Sequence, residues 1–212
     1  MTRPIELLKI LAMLGLVLLA VPLSTPSAKQ PSATVLVRVS GDAYEALRSD
    51  VQVTAHDPSK QALHYGSFVW LEVERSELDK LLATGLSIEV REEPYTLRLG
   101  EQSFDPLRDT VQLPEGWDAS GGDGPDLHLV QFAGPPREAW LEDLRLAGLE
   151  PVQYLSPFTY IVWGQPEAAE RAASASKVPS KVRWTGPFVP AYRVQPQWRN
   201  LDSGTVLVDV LF

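Results

Sequence analysis

Thr34-Val35-Leu36-Val37-Arg38-Val39, near the front of the chain, returns near its end as Thr205-Val206-Leu207-Val208-Asp209-Val210, with one change in six positions. Both stretches are runs of β-branched and aliphatic residues, the composition of a β-strand. A strand cannot satisfy its own backbone, because its N–H and C=O groups need neighbouring strands. A strand that opens a unit a few residues before Phe212 is therefore expected to belong to a unit whose remainder lies beyond the sequence. The chain reads as a series of repeated modules, with a truncated third module starting over residues 195–212.

Working outward, the first module spans 33–100. After the strand at 34–39, Ser40-Gly41-Asp42 caps a short helix with Ala43, Tyr44 and Leu47 on one face. Val51-Gln52-Val53-Thr54 alternates as a strand, and His56-Asp57-Pro58-Ser59 is a turn. Phe68-Val69-Trp70-Leu71-Glu72-Val73 is a further strand. Leu78, Leu81 and Leu82 recur at helical spacing, with Gly85 placed to cap the C-terminus. Leu86-Ser87-Ile88-Glu89-Val90 closes the module, giving the order βαββαβ.

The second module, 126–194, repeats that order. Leu127-His128-Leu129-Val130-Gln131-Phe132 is its first strand. Pro135 and Pro136 lead into a helix carrying Trp140, Leu144 and Ala147, which stops at Gly148. Strands follow at 151–154 and 158–163. Pro166 then opens an alanine-rich helix that must end before Pro179, and Val182-Arg183-Trp184 is the last strand. Two helices on one face of a four-stranded antiparallel sheet make the split-βαβ, ferredoxin-like arrangement, so the fold class is α+β, as tandem ferredoxin-like modules. The other face of each sheet is left for a neighbour. Modules of about 70 residues have marginal cores and are expected to lean on each other. Between them, 101–125 is rich in Gly and Pro and reads as a linker, with Phe104, Leu107 and Trp117 available to pin it.

Arg3 and Lys9 precede an apolar run at 10–21, and Pro22-Leu23-Ser24-Thr25-Pro26-Ser27-Ala28 follows it. A charged start, a short apolar core and a small-residue end describe a signal peptide over 1–28. The run is shorter than the roughly 20 apolar residues of a membrane span. Export, with no membrane contact beyond this segment, is the expectation. The net charge of -8, from 19 basic against 27 acidic residues, argues against nucleic acid and anionic lipid as partners. There is no cysteine, hence no disulfide framework or thiol nucleophile.

Chemical sites are not evident. The histidines are His56 in a turn, His64 before a strand, and His128 in a strand, where it is expected to face solvent. They show no spacing that converges on a metal. Asp118, Asp123 and Asp126 suggest calcium, but an EF-hand loop needs glycine at its sixth position, where Asp123 stands. Ala133-Gly134-Pro135-Pro136 loses two N–H donors to proline and makes a poor phosphate cradle. No catalytic, metal or cofactor residues are assigned, and no cofactor is expected.

The stretch from Leu127 to Val194 resembles the N-terminal pro-region of secreted subtilisin-like (S8 family) serine peptidases. The residues that carry this are Leu129-Val130-Gln131-Phe132-Ala133-Gly134-Pro135, Trp140 with Leu144 and Gly148, Tyr160-Ile161-Val162-Trp163, and Val182 through Arg193. The resemblance implies inhibitor I9-like βαββαβ modules that assist folding of a catalytic domain and inhibit it temporarily. It implies that a free sheet face packs on the protease. It also implies that a segment after the last strand lies extended in the substrate cleft. Here that segment is Pro187, Phe188, Pro190, Ala191, Tyr192 and Arg193, proline-rich and so pre-extended. In that family an Asp-Ser/Thr-Gly turn carries the catalytic aspartate at the end of a buried apolar strand. Asp202-Ser203-Gly204 follows mostly polar residues instead, and no Gly-Thr-Ser or His-Gly-Thr-His segment exists. The expected partner is a subtilisin-like catalytic domain in cis, or another protein. The alternatives are a stand-alone exported interaction or inhibitor protein, and a small-molecule sensor binding between paired modules.

Overall fold

The computed structural model describes residues 34–49, 62–119, 122, 124–174 and 181–199. The signal peptide, the strand at 51–54, His56 and residues 200–212 of the expected third module lie outside the described residues. The chain is α+β, and its described residues form two four-stranded antiparallel sheets and a separate two-stranded one.

The first unit begins with β1 (Thr34–Ser40) and α1 (Gly41–Ser49). It continues through β2 (Leu63–His64), β3 (Phe68–Glu74), α2 (Arg75–Ala83) and β4 (Ile88–Arg91), in the sheet order β2-β3-β1-β4. Alternation along β1 divides two environments, since successive side chains point to opposite faces. Val35, Val37 and Val39 bury against Ala43 and Leu47 of α1 and Leu78 and Leu81 of α2. Leu36 points the other way, into a cluster with Trp70 and with residues of the second unit. Leu82, expected on the buried stripe of α2, is 48% exposed. Leu78 and Leu81 already cover the sheet from that helix. Gly85 sits just past the helix with a φ of 74°, a left-handed conformation that favours glycine.

Next come β5 (Leu97–Leu99) and β6 (Gln102–Phe104), an antiparallel hairpin. The expected linker beginning at 101 thus starts in the turn of a paired hairpin. Leu97, Leu99 and Phe104 are buried, which composition alone concealed. Leu107 is exposed, so it pins nothing.

The second unit comprises β7 (Asp126–Phe132), α3 (Glu138–Leu146), β8 (Leu149–Leu155), β9 (Thr159–Gly164), α4 (Pro166–Ser174) and β10 (Val182–Pro187), in the order β10-β7-β9-β8. Val130, Phe132 and Val162 face Trp140 and Leu144 of α3 and Ala168 and Ala169 of α4. Phe158, expected to start the third strand, instead occupies the preceding turn at φ 51°, buried, with its carbonyl accepting the Phe132 amide at 2.8 Å. His128, expected at the surface, is buried. It lies on the face that looks toward the helices, and its Nε2 is 3.1 Å from the Gly164 carbonyl. After β10, α5 (Pro190–Arg193) and a 3₁₀ turn at Pro196–Trp198 complete the described chain.

Among the described residues, no helix is long and apolar enough to cross a membrane.

Candidate functional site

Each sheet has a helix-free face, and each face is covered by this chain in a different way. In the first unit, Leu36 and Trp70 on that face share a buried cluster with Phe132, Trp140 and Phe158 of the second unit. The contact is fixed by polar bonds as well. The Tyr65 hydroxyl donates to the Pro135 carbonyl at 2.7 Å, and Arg137 donates to the His64 carbonyl while its guanidinium lies over the Tyr65 ring. Burial pushes the Tyr65 hydroxyl above its ordinary pKa, opposed by the neighbouring Arg137 charge.

In the second unit the helix-free face carries Leu129 and Ile161, and the β5–β6 hairpin lies on it through Leu97, Leu99 and Phe104. The hairpin makes its own two-stranded sheet, so side chains rather than a shared ladder attach it. A polar cluster holds its rim. Asp105, one residue past β6, accepts a bidentate pair from Arg183, at 2.8 and 3.0 Å. Their side chains are only 12% and 14% exposed. The register of β10 against β7 shifts between Val182 and Trp184, so Arg183 is the bulged residue, and a bulge re-aims its side chain. Arg183 also donates to Gln131 Oε1 at 2.8 Å, and Gln131 Nε2 donates to the Tyr95 carbonyl at 3.0 Å. The guanidinium lies 3.9 Å from the Tyr95 ring centroid, and the Tyr95 hydroxyl donates to the Ala133 carbonyl. Burial raises the Tyr95 pKa, with Glu72 and Asp105 reinforcing and Arg183 opposing. Removing one partner of such a buried pair leaves an uncompensated charge, so the cluster fixes one arrangement of hairpin on sheet.

The segment expected to lie extended in a cleft is folded onto this same face. Pro187 is exposed at the end of β10, and the Phe188 amide donates to the Leu127 carbonyl at 3.0 Å. Pro190, Ala191, Tyr192 and Arg193 form α5. Ala191 is buried, and Tyr192 stacks on Phe104 with centroids 5.8 Å apart. Proline at the first helical position suits a helix as well as an extended chain, which explains the difference. Arg193 pairs with Asp126 at 3.0 Å. Lying in a cleft would require this segment to leave the sheet.

A second feature lies at the far edge. Strand β8 is terminal in its sheet, with Val152 and Tyr154 exposed, and Trp163 on β9 is 47% exposed. An open cleft of about 390 Å³ is lined there by Arg145, Glu150, Trp163 and Gln165, together with backbone of Gly148 and Gly164. Gly164 is needed for the close approach of strands, since a Cβ would stand 2.6 Å from the Gly148 carbonyl oxygen.

Among the described residues no three His, Asp or Glu side chains are grouped to hold a metal. Asp105 and Arg183 were not legible as partners, being 78 positions apart. The available signal was an arginine inside a short apolar strand.

A family model for a domain of unknown function (DUF8729) matches residues 98–189, fewer than half of the chain. The match begins within β5, so it takes in most of the hairpin as well as the second sheet. No curated protein and no solved structure matches the chain.

Proposed function

We propose that the chain is a non-catalytic protein-binding region built of tandem ferredoxin-like modules, the pro-region of an exported subtilisin-like serine protease. The observation that carries the reading is the strand order: β2-β3-β1-β4 and β10-β7-β9-β8 are the same arrangement, each from a βαββαβ chain order. That order supports the split-βαβ reading, and the resemblance over 127–194 links it to pro-regions. The modules act by presenting a preformed surface to a catalytic domain, stabilising its fold and blocking its cleft. Because much of both helix-free faces is already covered, the partner is met by edges and loops, or by 187–193 after it leaves the sheet.

The test adds the purified chain to a subtilisin-type protease. Expected are inhibition of peptide hydrolysis and faster recovery of activity from denatured protease. No effect on either rate, at concentrations where the chain is folded, would overturn the proposal. The covered faces also favour a second reading, a stand-alone inhibitor acting in trans, because a self-contained surface needs no catalytic domain for its stability. Tight inhibition of an unrelated subtilisin-type protease, without cleavage of the chain, would favour that reading.

A further inference from the structure

We infer that the cleft beside Trp163 is a docking notch for a basic side chain, arginine or lysine, carried on an extended polypeptide that pairs with the β8 edge. Three observations converge. Trp163 and Glu150 are direct cross-strand partners, so their side chains project to the same face. The indole is about half exposed although six-residue β9 is otherwise largely buried. An aromatic face beside a carboxylate is the geometry that attracts a cation.

The local charge agrees. Arg145 donates to Glu138 at 2.9 Å and to Glu142 at 3.1 Å, and these bonds raise its pKa and engage its charge. Glu150 pairs with Arg145 only loosely, at 3.9 Å from Nε, and its side chain is 65% exposed, so its carboxylate is accessible to a ligand. One guanidinium among three carboxylates leaves an acidic surround. Counting Arg171, which reaches the Ala147 carbonyl at 3.5 Å, the acids still outnumber the bases. That excess of carboxylates around the cleft favours a cation over an anion.

The edge supplies the backbone. Among the described residues no strand pairs with the outer side of β8. Its inner half is guarded by Pro151 and by a register shift between Pro151 and Gln153, devices that discourage edge pairing. The rest, from Gln153 to Leu155 with Tyr154 exposed, is open to an added strand. The inference rests on the protein-binding reading and names the chemistry of the partner.

The probe is the peptide acetyl-Thr-Val-Arg-Val-Thr-amide, with a second peptide carrying citrulline for arginine. Binding is followed by the indole N–H resonance of Trp163, assigned with Trp163→Phe. The arginine peptide is expected to shift that resonance and to bind about tenfold more tightly than the citrulline peptide. Glu150→Gln is expected to remove most of the difference, and added salt to reduce it. Equal affinity for the two peptides, or shifts confined to residues remote from Trp163 and Glu150, would overturn the inference. Inhibition of a subtilisin-type protease without peptide binding would sink this inference alone. Peptide binding without inhibition would sink the pro-region reading alone.

Discussion

The two units share one chain order and one strand order, yet they reach stability differently. The second unit is enclosed on both sides, by α3 and α4 on one face and by the hairpin and α5 on the other. The first has its helices on one face only, and its opposite face depends on the second unit, through Leu36 and Trp70. Its edge strand β2 is two residues long, whereas the corresponding β8 is seven. The same topology can therefore be autonomous or dependent according to what covers the helix-free face. A sheet with one bare apolar face must find a cover, and units of about 70 residues have little stability to spare.

The comparison is broken most directly by separation. A fragment of residues 94–199 is expected to unfold cooperatively on heating, and a fragment of residues 34–93 to show no cooperative transition. Calorimetry of both decides it. A sharp transition from 34–93 alone would mean that the bare face needs no cover, and the asymmetry would fall. Mixing the fragments is expected to restore a transition that includes both.

The next effect concerns the latch of the hairpin. Asp105→Ala leaves Arg183 buried without its carboxylate and is expected to cost about 3–5 kcal/mol by denaturant titration. Asp105→Leu with Arg183→Met, which removes both charges, is expected to recover most of that loss. If the single and double variants were equally destabilised, the cluster would be acting through shape rather than charge.

Much of this architecture was legible in the sequence, and the limits are instructive. The strand at 34–39, the stripe of Leu78 and Leu81, and the Pro–Gly limits of α3 are local patterns, and local patterns survive into the fold. The hairpin was hidden because its two three-residue strands lie beside a Gly- and Pro-rich stretch. Its apolar residues gain meaning only against Leu129 and Ile161, which lie 25 to 64 positions later in the chain. His128 was misplaced because alternation gives two faces but not which one is buried, and in β7 both are. The prolines of 187–193 predict an extended segment, but the first turn of a helix satisfies the same preference. The candidate notch left no signal at all, since Glu150 and Trp163 meet only through the pairing of β8 with β9.

A smaller effect separates the units by pH. The Tyr95 hydroxyl lies where the end of the first unit meets the second, and its pKa is raised above the ordinary 10.0 chiefly by burial; the Tyr65 and Tyr192 hydroxyls are raised for the same reason. The unfolded chain releases these protons near pH 10, while the folded chain holds them. The unfolded state then binds fewer protons, so stability is full below about pH 10 and falls as pH rises above it. Tyr95→Phe removes one such group and is expected to flatten the alkaline limb of a stability-against-pH curve. At neutral pH it costs the bond to the Ala133 carbonyl, about 1 kcal/mol, together with the contact of the hydroxyl with Glu72. An unchanged alkaline limb would place the sensitivity on the other two tyrosines.

The smallest effect sharpens the contrast between ion pairs. Arg38 and Glu89 meet at 3.2 Å across β1 and β4 on the helix-free face of the first unit, with side chains 44% and 53% exposed. The same face that is buried at Leu36 is thus open to water two positions along β1. Water and salt screen a pair in that setting, and holding two long side chains together costs rotamer freedom. Glu89→Gln is therefore expected to change stability by about 0.5 kcal/mol or less. Arg38 retains its place over the Phe68 ring, 4.2 Å from the centroid, whether or not the carboxylate is present. A loss as large as that of Asp105→Ala would show that this end of the sheet is covered in solution, and that the first unit is as enclosed as the second.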